Sequence, residues 1–145
     1  MVEYVYHHDK LFAIIIRTEF EKDGIEFFTP EDFSQQLGYM KRPKKYSIPP
    51  HMHMAVPRQV EYTNEVLFIK RGKVRVDFYD PDKNYLESRI LRQGDVILLA
   101  YGGHGLEMLE ESEIIEAKQG PYAGVGADKR QFTPVDSNRL KRVKG

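Results

Sequence analysis

Residues 65–79, EVLFIKRGKVRVDFY, read as two strands around a tight turn. Val74, Val76 and Phe78 alternate with Arg75 and Asp77, which is the period of a strand with one face buried. Arg71-Gly72 is the turn, and Glu65 to Lys70 is the partner strand. The same punctuation continues outward. Asp80 to Asn84, with Pro81, reads as a hairpin loop and Tyr85 to Leu91 as the return strand. Gln93-Gly94-Asp95 turns into the apolar run Val96 to Ala100, Gly102-Gly103 break it, and Gly105 to Leu109 and Glu113 to Lys118 complete the series. Short strands at this spacing predict an all-β sandwich or barrel.

Upstream, Ser47 to Met54 reads as a further strand, joined to Glu65 by a connection carrying Pro57, Arg58 and Glu61. Leu11 to Arg17 reads as a strand apolar on both faces, and Ile25 to Thr29 as a short one. Thr29, Pro30, Glu31 and Asp32 then match a cap, a first-turn proline and first-turn acids, so a short N-terminal helix is predicted from Pro30 to about Leu37. Residues 123–145 lose periodicity and end in RLKRVKG, a basic tail frayed or draped over the surface. The chain of 145 residues is expected to be one domain: N-terminal elements at 11–38, a core at about 46–118 and the tail.

Composition narrows the function. With 22 basic and 22 acidic residues, nothing asks for a nucleic acid or an anionic membrane as partner. The absence of cysteine excludes disulfides, thiolate metal sites and cysteine nucleophiles. The N-terminus lacks a signal-like apolar core, and Leu11 to Ile16 is too short to span a bilayer, so a soluble cytoplasmic protein is expected. Strands apolar on both faces, Leu11 to Ile16 and Val96 to Ala100, predict a homodimer that covers the outer one.

The chemistry-bearing residues are histidines and one acid. His51 and His53 are two apart, so in a strand both rings share a face. With Glu65 and His104 from neighbouring strands they make a set of three imidazoles and a carboxylate, suited to iron, manganese, nickel, copper or zinc. Glu61 is the rival carboxylate. The metal-free alternative is a pocket whose histidines bind substrate or act as acid and base. Arg58 and Lys118 are candidates to pair with a substrate anion, and Tyr101 to line the pocket mouth.

The spacing resembles the cupin superfamily. His51-x-His53 is followed by eleven residues and Glu65, then six residues and Gly72; nine residues separate Gly94 from His104. The family's motifs are a glycine, His-x-His, a few residues, Glu, six residues and Gly, and then Gly, five residues, Pro-x-Gly, two residues and His. Here the gap before Glu65 is longer, Ala100 holds the proline position, and His104 arrives one residue early. The resemblance covers about residues 46–118. It implies a double-stranded β-helix, a jelly-roll barrel with a divalent transition metal inside, held by His51, His53, Glu65 and His104. The stretch from Gly94 to Gly105, followed by Glu116 to Tyr122, is similar to small cupins associated with surface polysaccharides. That points to a sugar or sugar-nucleotide substrate and to an isomerase or epimerase in which Glu65 and His104 move the proton. A non-catalytic sugar- or anion-binding cupin and an iron-dependent dioxygenase are the alternatives.

Overall fold

The computed structural model describes the backbone of residues 1–145 and every side chain except that of Val125. Two sheets, antiparallel but for one short parallel edge strand, pack face to face. The strands are β1 (Val2–His7), β2 (Lys10–Ile16), β3 (Gly24–Phe27), β4 (Gly38–Lys41), β5 (Glu65–Arg71), β6 (Lys73–Tyr79), β7 (Tyr85–Arg92), β8 (Val96–Leu99), β9 (Gly103–Met108), β10 (Glu113–Lys118) and β11 (Val143–Lys144). One sheet has the order β1-β2-β8-β5-β10 and the other β11-β7-β6-β9, while β3 and β4 pair in a separate two-stranded sheet. The protein is all-β, as its alternation predicts, but the sheets do not close into a barrel: β9 and β10 are both edge strands, and the sandwich is open between them. Among the described residues, no helix is long and apolar enough to cross a membrane.

The period of two sorts the apolar residues. Leu67 and Ile69 of β5, Val74, Val76 and Phe78 of β6, and Ile97 and Leu99 of β8 face the inter-sheet core, with Phe12 and Ile15 of β2. Ile14, Ile16 and Leu98 face outward and form a second cluster with Phe28 and Leu37. This corrects the reason given for a dimer. The outer face of β2 and β8 is covered within the chain, by residues 20–39, with Phe20, Phe33 and Tyr39 completing the cover. At the end of the sandwich away from the open edge, Asp95 accepts from Arg17 (Nη1 to Oδ2, 2.9 Å), Thr18 N (2.9 Å) and Arg92 N (2.9 Å), all but closing its lone pairs in a buried site.

Two predicted elements are absent. Residues 30–37 form turns and bends, with no helix. Thr29 Oγ1 donates to Gln36 Oε1 (2.6 Å) and accepts from Leu37 N (3.2 Å), while the Gln36 amide donates to the carbonyls of Pro30 and Phe33 (2.9 Å each). These side-chain bonds take the carbonyls a helical ladder would need. Residues 47–54 form no strand either; residues 42–63 run as an exposed connection between β4 and β5. The tail is draped, and not frayed: Val135 N donates to Tyr79 Oη (2.9 Å), and β11 pairs in parallel with β7.

Candidate functional site

The open side of the sandwich holds a cleft of about 900 Å³, within the range of small-molecule sites. Its floor is where β5 and β9 face each other across the two sheets. Glu65 opens β5; its register with Leu99 of β8 and Lys118 of β10 puts it on the inward face, beside the core residues Leu67 and Ile69. His104 pairs with Phe78 of β6, whose side chain is in the core, so His104 also points inward. The two meet: His104 Nε2 lies 3.1 Å from Glu65 Oε2. A carboxylate only accepts, so the imidazole carries its proton on Nε2. Among the described residues Nδ1 has no hydrogen-bond partner.

Glu65 is buried and His104 is one-third exposed, an arrangement that leaves the imidazole as the member of the pair open to the cleft. The hydrogen bond from His104 holds the Glu65 carboxyl below the usual glutamate range; burial pushes it the other way, and the charges of His104 when protonated, Lys129 and Lys118 add to the depression. Lys118 Nζ lies 4.0 Å from Glu65 Oε1 and 3.2 Å from Glu116 Oε1, so it neutralises the acidic floor.

The walls are aromatic and glycine. Tyr101 stands edge-on to Phe12 (5.5 Å between centroids) and to Tyr62 (5.8 Å). Tyr79 packs edge-on to Phe132 of the tail at 5.0 Å. Gly102 makes this approach possible: its φ is +74°, and a Cβ there would strike the Phe12 ring and come within 2.7 Å of the Tyr79 carbonyl. Lys129 and Arg130, from the segment after the one-turn helix α1 (Val125–Asp128), bring cations to the rim, with Asp128 and Glu61 beside them.

The residues singled out from sequence divide into two groups. Glu65, His104 and Tyr101 line the cleft, Lys118 touches Glu65, and Glu61 is on the rim. His51, His53 and Arg58 lie in the exposed connection. His51 Nδ1 donates to the Pro49 carbonyl at 2.9 Å, leaving Nε2 without a partner among the described residues, and the His51 and His53 rings lie 5.4 Å apart. Among the described residues Arg58 bonds only the Val56 carbonyl (3.4 Å). No group of three or more His, Asp or Glu converges to hold a metal ion among the described residues. Lys129, Arg130, Tyr79 and Phe132 were not foreseen. Three of the four come from the tail or its approach, where the sequence has no periodicity to place them.

Comparison with family models, with curated proteins and with solved structures finds no match for this chain.

Proposed function

We infer that this is a cupin-like small-molecule enzyme whose cleft performs proton transfer on a sugar or sugar-nucleotide, as an isomerase or epimerase. The observation that carries the reading is the Glu65–His104 hydrogen bond on the floor of a cleft of ligand size. A carboxylate bonded to one ring nitrogen fixes the tautomer and stabilises the imidazolium that forms when the other nitrogen takes a proton. His104 Nδ1 accepts the proton from the carbon beside a sugar carbonyl. Delivery of a proton to the other face of that carbon, by water entering the open cleft, epimerises the sugar; delivery one carbon along, with the hydroxyl proton passing to the former carbonyl oxygen, isomerises it. Tyr62 and Tyr101 offer flat apolar surface for the ring, and Lys129 and Arg130 offer cations for a phosphate.

The family resemblance also implies a divalent transition metal. Within one chain the four residues do not fit it as a set: Glu65 and His104 bond each other, while His51 and His53 stand on the exposed connection. No step is therefore routed through a metal. The test is incubation with a panel of nucleotide sugars and sugar phosphates in heavy water. Gain of one deuterium in a recovered sugar, or a new epimer, supports the reading. Binding without any exchange across the panel assigns the cleft to ligand capture and overturns catalysis.

A further inference from the structure

Residues 41–63 are all exposed, although they carry Tyr46, Ile48, Met52, Met54, Val56, Val60 and Tyr62; Met52 is 89% exposed and Met54 81%. Soluble chains rarely leave so much contiguous apolar surface to water without a partner for it. Among the described residues, the hydrogen bonds of residues 43–62 reach only their own neighbours: Tyr46 N to the Pro43 carbonyl, His51 to Pro49 and Arg58 to Val56. The exit is anchored. Asn64 Nδ2 donates to the Ala100 carbonyl (3.1 Å), Asn64 N to Gln119 Oε1 (2.6 Å) and Thr63 Oγ1 to Asp128 Oδ1 (2.7 Å). Four of the chain's eight prolines, Pro43, Pro49, Pro50 and Pro57, lie in this stretch. They bias it to extended backbone and disfavour folding back on itself.

The same molecule presents an edge that lacks a strand. β9 pairs with β6 on one side only. Its inward-facing Leu106 and Met108, in register with the core residues Val76 and Val74, are 39% and 48% exposed, so the core is uncovered there. β10, the neighbouring edge, is protected by Glu113, Glu116 and Lys118. β9 has a single charged residue, Glu107, and it is held by Arg75 at 2.6 Å. A bare edge of this kind recruits another strand. β9 has six residues. The uncharged run His51–Val56, between Pro50 and Pro57, also has six, each with an N–H to donate.

We propose that this run is an exchange arm: in a two-fold dimer each copy's His51–Val56 lies along the β9 edge of the other copy and carries His51 and His53 to the cleft that holds Glu65 and His104. The arm leaves its own body instead of lying on its own β9, so the strand that fills the edge comes from a second copy. A two-fold pair fills both edges at once. Period two turns His51 and His53 toward the cleft, where Glu61, Glu65 and Glu116 supply acceptors. Met52, Met54 and Val56 then pack between the copies. The cleft is completed by its partner, and the His-x-His pattern of the sequence is satisfied between chains.

The absence of cysteine makes the test clean. Differently tagged Ala55→Cys and Met108→Cys chains are co-expressed and treated with a short bismaleimide. The expected product is a cross-linked pair holding one chain of each kind. The double variant, co-expressed with excess unaltered chain, should lose the cross-link. A cross-link within one chain that survives that excess, a dimer that never cross-links, or a monomer by light scattering would overturn the proposal. As a second reading, Met52→Lys with Met54→Lys should give a monomer with unchanged circular dichroism, because neither side chain packs on its own copy; a dimer that persists contradicts the arm. Cross-linking is independent of turnover, so arm exchange and proton transfer can each fail alone.

Discussion

His104 Nε2 and Glu65 Oε2 are 3.1 Å apart, and that bond joins the two sheets at the open side of the sandwich, since β9 belongs to one sheet and β5 to the other. Removing either partner has different consequences. His104→Ala leaves a buried carboxylate without its donor, which costs about 1–3 kcal/mol. Glu65→Gln keeps an acceptor for the ring and should cost less than about 1 kcal/mol. Urea denaturation of both variants checks the order; equal losses would place the bond outside the fold's energetics.

The acid response follows from the depressed Glu65 carboxyl. Its folded-state value lies below the unfolded one. The stabilisation is therefore complete above the unfolded glutamate value, about 4.3, and is lost as pH falls through the folded value. Denaturation midpoints should fall as pH drops below about 5, and Glu65→Gln should flatten that limb. Parallel curves for the two proteins would remove Glu65 as the source.

Asp95 organises the other end of the sandwich. It is buried, pairs with the buried Arg17 and accepts from the backbone of Thr18 and Arg92. Asp95→Ala strands two N–H groups and leaves Arg17 with Glu3 as its ion-pair partner, at 2.6 Å, and the Ile90 carbonyl, at 2.7 Å. The expected loss is about 3 kcal/mol in denaturant unfolding. A loss near that of an ordinary surface substitution, about 0.5 kcal/mol, would contradict the network.

Gly102 permits the cleft wall. Alanine at its φ of +74° costs about 1–2 kcal/mol from the backbone alone, and its Cβ would displace the Phe12 ring. Gly102→Ala should lower the Tm by several degrees, whereas Gly126→Ala, whose Cβ would meet nothing within 4 Å, should not. Equal Tm values for both would contradict the close approach.

The strands from β5 to the start of β9 were legible because alternation or a continuous apolar run is bounded by Gly, Pro or Asp; β9 and β10 are parted by Leu109 to Ser112, whose acids and serine interrupt the apolar pattern. Glu65 and His104 were legible from their offsets to Gly72 and Gly94, the glycines of turns with φ of +91° and +90°. β1 was missed because VEYVYH mixes charge with aromatics over few residues. The helix at 30–37 failed because local cap signals lost to the Thr29–Gln36 bonds and to the burial of Phe28 and Leu37 on β2 and β8. The strand at 47–54 failed because a strand exists only with a partner, and none lies beside it within the chain.

Proton transfer by His104 is tested most directly by comparing deuterium uptake from heavy water into a cleft-bound sugar, with unaltered protein, Glu65→Gln and His104→Gln side by side. The account predicts exchange in the unaltered protein, a fall of about a hundredfold or more in His104→Gln and an intermediate rate in Glu65→Gln. Undiminished exchange in His104→Gln would contradict it.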